Sequence, residues 1–142
     1  MNVSKSFFVV LVMAVVSILM ASAAIAAVPT VSTSGVPSNV VDGTSFKVTV
    51  TGASTGVPAG QTISTLSLAS SNANFSVSSP TSVGCTAGSA TCVAEFNVNV
   101  ASGAPVGSSA TLTATAVASN GEVGSSTAVS TVSGSASTGN KV

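Results

Sequence analysis

Beyond residue 28 the chain alternates apolar side chains with threonine, asparagine and other polar side chains, with a period of two. The clearest runs are Phe46–Val50, Phe96–Val100 and Leu112–Ala116. Successive side chains of a β-strand point to opposite faces, so each run predicts a strand with one buried and one exposed face. Weaker runs of the same kind are Val28–Ser34, Ile63–Ala69, Ala73–Ser78 and Glu122–Val132. Because no capped helical pattern interrupts them, this part of the chain is predicted to be all-β.

Turn signals separate these runs at the spacing that is typical of a sandwich. They are Val36–Asn39, Asp42-Gly43, Gly56–Gly60, Ser79-Pro80, Gly103–Pro105 and Asn120-Gly121. The Asn-Gly pair predicts a type I′ hairpin between the last two strands, since both central residues of that turn need a positive φ. About seven short strands joined by polar turns predict an immunoglobulin-like β-sandwich over residues 27–134.

The first residues have the pattern of a secretory signal peptide. Lys5 precedes an apolar run from Phe7 to Met20, and small residues follow up to Ala27. A basic start, an apolar stretch and an Ala-x-Ala site together predict a signal peptide over residues 1–26, cleaved between Ala26 and Ala27.

The alternative is that the apolar segment is retained as a helix. Phe7–Val28 is 22 residues without a charge, which is long enough to cross a bilayer or to form the core of a filament. Lys5-Ser6-Phe7 resembles the short leader of archaeal type IV pilins, which implies such a core helix over residues 7–28. Both interpretations place the remainder of the chain outside the cell, and membrane contact is expected only through residues 7–28.

The shortage of charge excludes several classes of function. Only 4% of the residues are charged, there is no histidine, and Lys5, Lys47 and Lys141 are isolated from one another. Nucleic-acid binding needs clustered cations, and a serine nucleophile needs a base to activate it. We therefore expect no nucleic-acid partner, no catalytic residue, no metal site and no cofactor.

The two cysteines, Cys85 and Cys92, lie on either side of a glycine-containing turn between two predicted strands. In an exported chain this spacing predicts a disulfide within a hairpin. A redox pair would be expected to have a Cys-x-x-Cys spacing and basic neighbours, and neither is present.

Three segments carry a family resemblance: Asp42–Val50, Ala94–Val100 and Ala104–Ala116. They resemble prokaryotic surface immunoglobulin-like modules of the CARDB and alpha-galactosidase-associated types. As a single small module, the chain also resembles subunits of archaeal and bacterial extracellular filaments, including threads and bundling pili. That resemblance implies that a free N-terminal strand of one subunit completes the sandwich of the next.

The candidate donor strand contains Val28, Thr30, Val31 and Ser32, and Gly35-Val36-Pro37 follows it as a possible hinge. The alternative is that the same segment is simply the first strand of its own sandwich. Sheet edges without lysines or inward-pointing charges invite a further strand, so copies of this chain are the expected partners.

The overall expectation is a non-enzymatic extracellular structural protein that forms a surface filament or coat. A secreted adhesive or carbohydrate-binding module is the alternative, although the chain has no Trp or Tyr to stack on a sugar ring. Asn74-Phe75-Ser76 is an N-glycosylation sequon, so glycans are possible partners. Residues 135–142 are expected to form a flexible tail.

Overall fold

The computed structural model describes residues 28–55 and 57–135. These residues form nine strands: β1 (Thr30–Ser34), β2 (Asn39–Val41), β3 (Ser45–Ala53), β4 (Ile63–Ser70), β5 (Phe75–Val77), β6 (Ser82–Gly84), β7 (Thr91–Val100), β8 (Ser109–Ala118) and β9 (Val123–Gly134). One sheet has the order β1-β3-β7-β5, and the other has the order β2-β9-β8-β4-β6. The prediction of an all-β sandwich is confirmed.

The predicted signal peptide, the alternative core helix over residues 7–28 and all but the first residue of the tail lie outside the described residues, apart from Val28. Ser135 is exposed, and the strands run from residue 30 to residue 134, within the predicted domain. Among the described residues no helix has the length and apolar character needed to cross a bilayer.

The period-two pattern determines which side chains enter the core. Along β7, Phe96, Val98 and Val100 are buried, whereas Asn97 and Asn99 between them are exposed, as is Glu95 just before them. β8 has the same alternation, and its buried residues are mostly alanines. The largest fully buried side chains are Phe75, Phe96, Ile63, Leu66, Leu68 and Leu112. The core between the sheets is therefore built mostly from small and medium-sized side chains.

Two of the nine strands, β2 and β6, were not predicted, because they have only three residues each and do not lie within a longer alternating run. β5 is equally short, but it lies within the predicted run Ala73–Ser78. The type I′ turn at Asn120-Gly121 was also wrong. β8 and β9 do form a hairpin, but only Gly121 has a positive φ, of 91°. The Gly121 N–H donates to the Ala118 carbonyl at 2.9 Å, so a turn followed by a left-handed glycine joins the strands.

The N-terminal part of the fold is divided between the two sheets. β1 pairs antiparallel with β3 in one sheet, and β2 pairs parallel with β9 in the other. Pro29 lies against Gly124, near the start of the 12-residue strand β9, whereas Ser135 follows the end of that strand. The described chain therefore begins at one end of the sandwich and leaves at the other.

Candidate assembly edge and the opposite side of the sandwich

β1 is an edge strand with one pairing partner. Its register with β3 runs from Thr30 opposite Ala53 to Ser34 opposite Thr49, and no other strand of the described residues pairs with it. Val31 is half-buried against the core. In the single copy, the candidate donor residues from Thr30 onward thus occupy the first strand of their own sandwich, and Val28 lies exposed just before it.

The surface of β9 that faces β1 carries small side chains. A Cβ placed on Gly124 would overlap the backbone carbonyl of Pro29, so the close approach of the chain here requires glycine. Alternation along β9 places Ser126, Ala128 and Ser130 on the same inner face. β1 therefore packs on a part of β9 that carries only small side chains, so few large side chains of the two strands interdigitate.

The segment between β1 and β2 changes sheets within four residues. Gly35 has a φ of +83°, and a Cβ there would overlap the Lys47 carbonyl oxygen. On the far side of the segment, β2 is held by β9 through Asn39 opposite Thr131 and Val40 opposite Val132. The chain therefore bends at Gly35 just after β1, and β2 anchors it just beyond.

The opposite side of the sandwich is closed by a covalent bond. Cys85 follows β6 and Cys92 lies in β7, and the two form a disulfide. The predicted bond is thus present, but it is not a hairpin bond. β6 and β7 belong to different sheets, so the disulfide joins the two layers of the sandwich.

A groove of about 620 Å³ opens between β4 and β5 on this same side. Its deepest residues, Leu68 and Phe75, are buried. The remaining lining residues are Ala69, Ser70, Ser71, Asn72, Ala73, Ser76, Val77 and Thr81.

The polar side chains at the mouth of this groove bond to the protein itself. Asn72 donates through Nδ2 to the Ser109 carbonyl at 2.9 Å and accepts the Asn74 N–H at its Oδ1 at 2.9 Å. The Ser70 hydroxyl donates to the Asn72 carbonyl at 3.0 Å. These groups are already occupied, so the groove lacks the convergent free side chains of a site for a small polar ligand.

The described charges include an exposed ion pair. Lys47 Nζ and Glu95 Oε2 are 3.7 Å apart on the outer face of the four-stranded sheet, with 67% and 62% of their side chains exposed. Asn97 is opposite Lys47 in the register, on the same exposed face. An exposed ion pair of this kind contributes little to stability.

Asp42, in contrast, is buried, and its Oδ2 accepts the Gly103 N–H at 2.7 Å. In the sequence, Asp42-Gly43 is recognisable only as a turn signal, because the alternation of apolar and polar residues does not indicate that an acid beside a turn glycine is buried. No group of three or more His, Cys, Asp or Glu residues that could hold a metal ion occurs in residues 28–55 and 57–135.

Asn74, the possible glycosylation site, is half-buried just before β5. Its carbonyl accepts the Ala101 N–H at 2.8 Å, which fixes the backbone of the sequon against the loop after β7. Modification of Asn74 stays a prediction.

No model of a protein family matches the sequence, and no curated protein matches it. Among solved structures, it is similar to a cohesin module from a Clostridium perfringens family 33 glycoside hydrolase, with a TM-score of 0.43 and 13% identity over 76% of this chain and 98% of that one. It is also similar to a superoxide reductase (neelaredoxin) from Ignicoccus hospitalis, with a TM-score of 0.42 and 15% identity over 80% and 84% of the two chains.

A DUF4466 family protein from Parabacteroides merdae has a TM-score of 0.44 and 13% identity, over 73% of this chain and 44% of that one. The three neighbours differ in kind, and their TM-scores are low.

Proposed function

We propose that this chain is a non-enzymatic extracellular structural protein, an immunoglobulin-like subunit that assembles into a surface filament or coat by exchanging β1 between copies. β1 of one copy would leave its place beside β3 and pair with β3 of the next copy in the same register. Main-chain hydrogen bonds would supply the affinity, and the alternation of side chains would set the register.

The observation that carries this proposal is the way in which β1 is held. β1 has one strand partner, rests on the small side chains of β9 and is followed by the bend at Gly35. An edge element that is joined to its domain through a short hinge can be exchanged between identical copies without new contacts. Since the described chain begins and leaves at opposite ends of the sandwich, successive copies can be placed head to tail.

The distribution of charge supports self-association. Among the described strands, only Lys47 and Glu95 carry a charge, and they pair with each other. The free edge of β1 has neither a lysine nor an inward-pointing charge, which are the usual protections of a sheet edge. Copies of this chain would therefore approach one another with little electrostatic repulsion.

The predicted export and the disulfide support an extracellular location. Structural disulfides persist in oxidising compartments and are rare in the cytosol of most organisms. The full chain would therefore be produced in an exporting host and purified from outside the cell. An N-terminal sequence beginning at Ala27 would support the signal peptide, and one beginning at Phe7 would support the type IV pilin-like alternative.

A pair of introduced cysteines tests the exchange of β1. Ser32 is opposite Thr51 in the register, and both lie on the outer face of the sheet. In a Ser32→Cys, Thr51→Cys variant, a disulfide formed before assembly should hold β1 in its own copy and prevent filaments in electron micrographs. Oxidation after assembly should instead join successive copies and give a ladder of multimers on a non-reducing gel.

The matched control is Ser45→Cys with Asn99→Cys, which joins β3 to β7 on the same outer face without removing a charge. That pair lies within one copy, so it should give only monomers on the gel and leave assembly unchanged. Filaments that give no ladder with the Ser32 and Thr51 pair would contradict strand exchange. A protein that remains monomeric at all concentrations would contradict the structural function itself.

A further inference from the structure

We propose that the Cys85–Cys92 disulfide is a redox-sensitive latch that holds β6 over the outer edge of β4 and so closes a second strand-binding edge of the sandwich. The proposal concerns the fold of a single copy and does not rest on the exchange of β1. It assigns to the disulfide a role in controlling which edges of the sandwich can pair with another strand.

β6 is a short strand that is held at the edge of its sheet by few backbone bonds. β6 pairs with β4 through Thr65 opposite Gly84, Leu66 opposite Val83 and Ser67 opposite Ser82, and it pairs with no other strand. Two further backbone bonds extend this contact, from Cys85 N–H to the Ser64 carbonyl at 2.8 Å and from Leu68 N–H to the Thr81 carbonyl at 3.0 Å. A strand of three residues at a sheet edge is weakly held by such bonds alone.

The segment that contains β6 is attached to β7 at both of its ends. Before β6, the Ser78 N–H donates to the Asn97 carbonyl of β7 at 2.9 Å. After β6, Cys85 is bonded to Cys92, also in β7. The segment that covers the edge of one sheet is therefore attached at both ends to the other sheet, and one of these attachments is covalent.

β6 covers part of the outer edge of β4. Beyond Leu68 the outer edge of β4 is already open, because the groove begins at Leu68–Ser70. Displacement of β6 would extend this open edge back to Ser64, giving a continuous edge along most of β4 without a charged side chain. Long, uncharged and exposed edges are sites of strand addition.

The redox chemistry is thiol–disulfide exchange with an external dithiol. One thiolate of the dithiol attacks a sulfur of the protein disulfide, and its second thiol then resolves the mixed disulfide. The dithiol is oxidised to a disulfide, and Cys85 and Cys92 each gain one electron and one proton to become thiols. In a reducing compartment the two cysteines would be thiols and β6 could leave the edge of β4. After export and oxidation the disulfide would hold β6 on that edge.

Amide hydrogen exchange measured by NMR tests the proposal within a single strand. Alternation along β4 directs the amides of Leu66 and Leu68 to β6 and those of Ser67 and Ala69 to β8. In a Cys85→Ala, Cys92→Ala variant, the exchange rates of Leu66 and Leu68 should rise about tenfold relative to those of Ser67 and Ala69. The wild-type chain in dithiothreitol should give the same ratio.

A second variant keeps the disulfide and removes the pairing. Val83→Pro deletes an N–H of β6 opposite Leu66, so it should raise the same ratio in oxidised protein. This variant also tests the proposal if the cysteine variant does not fold. The proposal is wrong if the four amides accelerate equally after loss of the disulfide, since that indicates global destabilisation. It is also wrong if Val83→Pro leaves the ratio unchanged.

Discussion

The two sides of the sandwich are closed in different ways. On the β1 side, the sheets are bridged by a chain that changes from β1 to β2 through a glycine bend, over the small residues of β9. On the β6 side, the fully buried Phe75 of β5 fills the space between the sheets, and the Cys85–Cys92 bond joins them. One side is held by backbone pairing and the other by core packing and a covalent bond.

This difference indicates how a nearly uncharged sandwich could polymerise without aggregating. With few charges to protect its edges, the chain would have to close some of them by other means. In the proposed assembly, the disulfide and the buried core at the β6 side would provide such a closure, whereas β1 would be exchanged with little loss of side-chain packing. Variants on the two sides should therefore differ in their effects on stability and on assembly.

The largest expected effect is at Phe75. Phe75→Ala would leave a cavity in the core at the β6 side and should lower the free energy of unfolding by about 3 to 5 kcal/mol. Its counterpart at the β1 side is Val31→Ala, which shortens a half-buried side chain and should cost about 1 kcal/mol. Urea unfolding followed by circular dichroism measures both, since the chain has no Trp or Tyr to report by fluorescence. Equal losses at the two positions would contradict the proposed difference between the sides.

Gly124 should have the next largest effect. Gly124→Ala places a methyl group against the Pro29 carbonyl and should cost about 1 to 3 kcal/mol through displacement of the chain before β1. Gly84→Ala, in β6, is the matched control, because a Cβ there meets no atom within 4 Å. Thermal unfolding of both variants tests this prediction, and similar losses would show that the close approach of Pro29 is unimportant. If β1 of one copy packs on the same face of β9 in the next copy, Gly124→Ala should impair assembly and Gly84→Ala should not.

The smallest expected effect is a gain at Ser130. Its hydroxyl is fully buried and has no hydrogen-bond partner in the described structure, and it lies next to the residues of β9 that pair with β2. Removing an unsatisfied buried hydroxyl should recover about 1 kcal/mol, so Ser130→Ala should raise the denaturation midpoint. Ser126→Ala, at a half-buried position on the same face, should change it less. A loss of stability in Ser130→Ala would indicate that the hydroxyl has a polar partner.

Much of the fold could be predicted because alternation is a local property. The parity of Phe96 and Glu95 follows from their neighbours in the sequence. The structure confirms these assignments because strand geometry needs no knowledge of the partner strand. β2 and β6 could not be recognised in this way, because three residues are fewer than two periods of the pattern and neither strand lies within a longer alternating run.

The candidate assembly edge could be predicted only in part. Thr30–Ser34 was recognised as a strand, but the dependence of its position on Gly124 joins residues that are far apart in the sequence. Asp42 was recognised as part of a turn, but its bond to Gly103 spans 61 residues. Contacts of this kind depend on how the sheets stack, which a periodic pattern does not encode.

The sequence by itself determined that residues beyond 28 form strands with an apolar and a polar face, because a period of two fits only an extended chain. It also predicted the pairing of the two cysteines, since only two are present. Only the tertiary structure decided that this bond joins the two sheets and that β1 lies at an edge beside a face of small side chains. The physical reason is that the order of strands in a sheet depends on contacts between distant segments of the chain. Which face of a strand a side chain occupies depends on the local backbone alone.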